Sequence, residues 1–130
     1  MTESRRQRVV FADYIELHAR SAFSFLHGAS TPEDLIAVGA ELEMSAMALL
    51  DRDGVYGAPR FHMAAKKSGI KAHIGAEVAI SSFKSQDLSL QTQDVVYVPV
   101  LVSNRTGYQN LCRLITLMKL RAPKHAGPGE

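Results

Sequence analysis

The feature that most constrains the fold is the run SAMALL at residues 45–50, which stops at Asp51 and gives way to the turn-rich DRDGVYGAP of residues 51–59. A short apolar run bounded by turn formers has the length of a strand and, lacking polar alternation, reads as one buried on both faces. Helical patterns flank it. Before it, Thr31 can cap a helix with Pro32 at the first position and Glu33 and Asp34 in the first turn, where carboxylates complement the helix dipole. That helix is expected to run to about Leu42, with Leu35, Val38 and Leu42 as its buried stripe. After the run, PRFHMAAKKSG is expected to start a helix near Pro59 and close it at Gly69, with lysines in the last turn.

The same alternation extends outward. YIEL (14–17) is a short β-type run followed by a serine-containing loop, and IKAHIGAEVAI (70–80) reads as a further strand region. A polar stretch from Ser81 to Asp94 separates it from VVYVPVLV (95–102), whose Pro99 favours an edge or a bend. TGYQNLCRLITLMKL (106–120) is the last helix, with Tyr108, Leu111, Ile115 and Met118 on one side. Strands and helices joined by short connections argue for an α/β layer or barrel of parallel strands with right-handed crossovers. A closed (β/α) barrel takes about 250 residues, so this chain supplies roughly half of one and leaves an open edge on each side. Such edges invite pairing, and a homodimer is expected.

Composition sets the remaining bounds. With 46% hydrophobic and 22% charged residues, the chain can build one ordinary core. No apolar run approaches the ~18 residues of a membrane span, and nothing resembles a signal peptide, so no membrane association and a cytoplasmic location are expected. Cys112 is the sole cysteine and reads as a small core residue. Residues 1–13 form a basic leader with Arg5, Arg6 and Arg8, residues 14–120 the domain, and RAPKHAGPGE (121–130) a loop or linker tail. A net charge of +2 does not by itself announce nucleic-acid binding.

In parallel α/β folds, ligands sit at the carboxyl ends of strands. The polar residues expected there are His18 and Arg20, then Asp51, Arg52 and Asp53, then Glu77, and the loop residue His27 could return to the same rim. A histidine with several carboxylates suits a divalent metal or a phosphate. A guanidinium cannot ligate a metal cation, so Arg20 and Arg52 could neutralise Asp51 and Glu77 without one, or grip a phosphate or a partner carboxylate. His62 on a helix and His125 in the tail lack such company, and His73 in a strand reads as structural.

Taken together, ELHARSAFSFLHGAS, ALLDRDGVYGAPRFHMAAKKSGIKAHIGAEV and NRTGYQNLCRLIT resemble the N-terminal PHP (polymerase and histidinol phosphatase) domain of bacterial C-family DNA polymerase alpha subunits, from about Tyr14 to Leu117. The error-prone type is the better match. The resemblance implies part of a distorted (β/α)7 barrel whose rim can hold up to three metals, in some members for phosphoesterase or proofreading exonuclease activity. His18 matches the first histidine of the family's His-x-His, and Glu77 the glutamate of its Gly-x-Glu element. His27 stands where family members carry aspartate or histidine, and Asp51 matches the aspartate of an Asp-His pair. Arg20 and Arg52 stand where the family has histidines, and further family ligands are expected beyond residue 130. The resemblance therefore implies a degenerate Zn or Mn site with no assigned catalytic residue, in a module acting mainly as a scaffold for DNA replication or damage-tolerant synthesis. The alternatives are a metal-dependent phosphoesterase or exonuclease, and a phosphate- or nucleic-acid-binding module. The partners implied are the rest of the polymerase chain and, through it, DNA; no polymerase palm lies within these residues.

Overall fold

A computed structural model describes residues 14–81 and 95–121. The basic leader, most of the polar stretch after β3 and the tail with His125 lie outside the described residues. The elements run β1 (Glu16–Ala19), α1 (Pro32–Glu41), β2 (Ala46–Arg52), α2 (Ala58–Ser68), β3 (Lys71–Ser81), β4 (Val95–Leu101) and α3 (Arg105–Arg121).

The strands form one sheet in the order β1-β2-β3-β4. The first three are parallel, as the alternation predicts, but β4 is antiparallel to β3. The register gives the reason. Ser81 pairs with Val95 and Gly75 with Leu101, so the chain returns to the sheet at the end it left, and a parallel pair needs a crossover to the opposite end. Pro99 sits on this outer strand, where its missing N–H disturbs no inner ladder.

β2 is central, and residues 46–51 are all buried, which is what its unbroken apolar run requires. It extends past the expected stop at Leu50 because Asp51 and Arg52 pair in register with Ala76 and Glu77. Met47 and Leu49 join Ala19, Ile36, Phe61, Ala65 and Ile70 in the main core. Ala76 and Val78 of β3 pack with Leu111 and Ile115 of α3 in a second. Burying a side chain such as Phe61 or Ile36 contributes about 1.5–3 kcal/mol.

Thr31 and Asp34 form a reciprocal capping box at the start of α1. The buried face of that helix is Pro32, Ile36 and Gly39, not the expected stripe, and Val38 is exposed. Gly39 faces the sheet, where a Cβ would stand in ordinary van der Waals contact, 3.4 Å from Ile70 Cδ1 and 3.5 Å from Met47 Sδ. α2 ends at Gly69, whose φ of 72° is the left-handed cap expected of it. Arg60 grips Glu33 through Nε at 2.7 Å and Nη2 at 2.8 Å, tying α2 to α1 across exposed surface.

Candidate functional site

Side chains alternate across a strand, so neighbours at a strand end point to opposite layers. Asp51 shares the face of Leu49 and the helices, whereas Arg52 shares the opposite face with its register partner Glu77. The candidate residues therefore fall into two groups.

The first group is a serine-lined anchor on the helix side. Asp51, 1% exposed, accepts from Ser21 N–H at 2.7 Å and Ser24 Oγ at 2.8 Å through Oδ1, and from Ser21 Oγ at 2.8 Å through Oδ2. Ser24 Oγ in turn accepts from Arg52 N–H at 3.0 Å. The loop after β1 closes tightly enough that a Cβ at Gly28 would collide with the Ser21 carbonyl. Both carboxylate oxygens of Asp51 are thus spent on holding this loop, and the Arg20 and Arg52 contacts go to Glu77 instead.

The second group gathers around Glu77, whose side chain is 5% exposed. Arg20 Nη2 donates to Oε1 at 2.5 Å, His18 Nε2 lies 3.1 Å from the same oxygen, and Arg52 Nε donates to Oε2 at 3.3 Å. Burial by itself would push the Glu77 carboxyl up. The hydrogen bond and charge of Arg20, with further hydrogen bonds from Arg52 and His18, outweigh burial and hold the group below the usual glutamate range. Arg52 is steadied from two more sides: its guanidinium lies 3.8 Å over the Tyr97 ring, and its Nη1 is 2.6 Å from His27 Nε2. An arginine only donates, so in this contact His27 Nε2 takes the acceptor's place. Arg20 Nε is buried with no hydrogen-bond partner among the described residues.

Asp53 proves to be a clamp. Its N–H donates to the Glu77 carbonyl at 2.8 Å and its Oδ1 accepts from Ala79 N–H at 2.9 Å, with a φ of 50° that turns the chain out of β2. His62 is exposed on α2, and His73 is half-buried in β3, outside these contacts. Sequence reasoning missed Ser21, Ser24 and Tyr97. The two serines stand three apart directly after the candidates His18 and Arg20, a usable signal; Tyr97 depends on an antiparallel register that no local pattern announces.

Comparison with known proteins agrees with this frame. The PHP domain model matches residues 16–128. The chain belongs to the PHP domain family. It is 40% identical over 111 residues to an error-prone DNA polymerase of Corynebacterium diphtheriae, a match covering 85% of this chain and 10% of that one. Other error-prone polymerases match at 36–42% identity, and the chain spans about a tenth of the length of these curated relatives. Among solved structures, an amidohydrolase from Chromobacterium violaceum, with bound sulfate and no metal, superposes with a TM-score of 0.56 at 26% identity, covering 76% of this chain and 32% of that one. A protein from Bifidobacterium adolescentis, described as a candidate metal-dependent phosphoesterase, shares the fold with a TM-score of 0.53 at 20% identity over the same shares.

The metals implied by the family do not fit the donor set seen here. Zinc binds within about 2.0–2.2 Å of carboxylate oxygen. An ion that close to Glu77 Oε1 would compete with the Arg20 guanidinium for the same oxygen, and Arg52 holds the other. Two unit charges of like sign 4 Å apart repel by roughly 4 kcal/mol at a surface-like dielectric, and a divalent ion doubles that. Among the described residues no three His, Cys, Asp or Glu side chains gather to hold an ion, and His27 is turned to Arg52.

Proposed function

We propose that this PHP domain is the N-terminal module of an error-prone, DNA polymerase III alpha-type enzyme, working in the cytoplasm in replication or damage-tolerant synthesis. Its rim serves there as scaffold and not as a hydrolytic metal centre. The observation that carries this reading is the capture of both Glu77 oxygens by Arg20 and Arg52, where the family offers imidazoles to a metal. Identity of 36–42% to error-prone polymerases supports the parent assignment. The test is hydrolysis of a phosphodiester such as bis-p-nitrophenyl phosphate with added Mn2+ or Zn2+. No turnover above the metal blank is expected, and metal-dependent turnover abolished by His18→Ala would overturn the scaffold reading.

A second reading, anion binding, is favoured by the surplus of positive charge around Glu77 and by the sulfate held without metal in the Chromobacterium violaceum relative of the fold. In that reading the free guanidinium edges of Arg20 and Arg52 receive a phosphate group. Phosphate or single-stranded DNA affinity should then fall on Arg52→Ala, and an unchanged affinity would count against it.

A further inference from the structure

The apolar spacing of α1 marks Leu35, Val38 and Leu42 as one stripe, yet the fold leaves Val38 exposed and Leu35 and Leu42 only half-buried. At about 100° per residue this stripe lies across the helix from Glu33, which holds Arg60 of α2, so it faces away from the neighbouring helix. α3 carries a second such stripe. Its Leu111 and Ile115 are buried against β3, whereas Leu114 and Leu117 are exposed on another side. A helix that is apolar on two sides suits a position covered on both. The two helices stand at opposite ends of the layer, α1 packed on α2 and β2, α3 on β3 and Val100 of β4, so within one chain the two stripes do not meet.

Charge distinguishes the stripes. α1 holds Glu33, Asp34 and Glu41 and no lysine or arginine, whereas α3 holds Arg105, Arg113, Lys119 and Arg121 and no carboxylate. Asp34 and Glu41 border Val38 and stand about 10 Å apart along their axis; Arg113 and Arg121 border Leu117 and stand about 12 Å apart, at 1.5 Å of rise per residue. Glu41, Arg113 and Arg121 are exposed and have no ion pair among the described residues. Either helix set against its own copy would bring like charges together. Set against each other, the two stripes place opposite charges at both ends of an apolar centre.

We propose that this chain binds a second copy of itself head to tail, with the Leu114 and Leu117 face of α3 seated on the Leu35, Val38 and Leu42 face of α1 in the other copy. The contact brings the β4 edge of one copy toward the β1 edge of the next. Because each copy supplies roughly half of a barrel, two such contacts close a pair.

The experiment is sedimentation equilibrium of the wild-type chain, R113E/R121E, E41K and L117S, with circular dichroism to confirm that these exposed substitutions leave the fold intact. The wild type should form a dimer whose dissociation constant rises as salt is raised from about 0.05 to about 0.5 M. R113E/R121E and E41K reverse charge on one side of the contact, and each alone should dissociate about tenfold more readily than wild type at low salt. An equimolar mixture of the two should associate more tightly than either alone, because the unaltered α3 of the E41K chain meets the unaltered α1 of the R113E/R121E chain. Only a head-to-tail contact gives that recovery. L117S removes apolar area without changing charge and should weaken the dimer at both salt concentrations. A monomer at all concentrations overturns the proposal and leaves the two stripes to a partner of another kind. A dimer unaffected by the substitutions, or a mixture no tighter than its components, overturns it and leaves edge pairing without the helix contact.

Discussion

Glu77→Gln is the perturbation with the largest consequence for this rim. The amide retains the shape of the carboxylate but removes its charge and turns an NH2 toward one of two arginine donors. Removing one partner of a fully buried ion pair costs about 3–5 kcal/mol, and of an exposed pair about 0–1. Glu77 is buried, but the Arg20 and Arg52 side chains keep 31% and 22% exposure, so water takes up part of the abandoned charge. A loss of roughly 2–3 kcal/mol follows from those two limits. Urea denaturation at neutral pH measures it, and the pH dependence identifies its origin. Because the folded-state carboxyl titrates below its ordinary range, its contribution is complete above the unfolded value of about 4.3 and is lost as pH falls through the folded one. The wild-type advantage over Glu77→Gln should therefore be constant from neutral pH down to about 5 and shrink below about 4. A difference under about 0.5 kcal/mol at pH 7, the range of an ordinary surface substitution, would refute the energetics assigned to the Glu77 contacts. A difference that persists undiminished in acid would refute the assignment to Glu77 charge.

Other outcomes follow from the same contacts. Asp51→Asn weakens three hydrogen bonds to a buried carboxylate and should cost roughly 2–3 kcal/mol, with faster amide exchange across residues 21–28 as the direct sign that the serine loop has come loose. Phe61→Ala, at a fully buried position between α2 and the sheet, should cost about 3–5 kcal/mol in the same denaturation assay without changing the Zn2+ indifference of the rim. The outer strand β4 presents Val96 and Val98 exposed, and sedimentation equilibrium is expected to find a dimer formed at a sheet edge; a compact monomer at all concentrations would reject edge pairing.

Much of the fold can be read from local signals because each is enforced by backbone chemistry. Thr31-Pro32 begins α1, Gly69 ends α2, and the run at 45–50 becomes the central strand. The rim was legible for a related reason: the ends of β1 and β2 placed His18, Arg20 and Arg52, and these meet Glu77, which lies within β3 opposite the last residue of β2. What was not legible depends on parity and partnership. Extension of β2 by two residues puts Asp51 and Arg52 on opposite faces, which separates Asp51 from the cluster it was expected to join. The direction of β4 is set by where the chain returns to the sheet, and the roll of α1 by the packing of Ile36 into the main core. Neither is encoded in apolar spacing alone.

Mn2+ titration followed by electron paramagnetic resonance tests the central claim most directly, because hydrated free ion and protein-bound ion give different signals. With both Glu77 oxygens held by guanidinium, the free-ion signal should rise in proportion to added Mn2+, as in buffer without protein. Uptake of one or more ions per chain, abolished by His18→Ala or Glu77→Gln, would contradict the account.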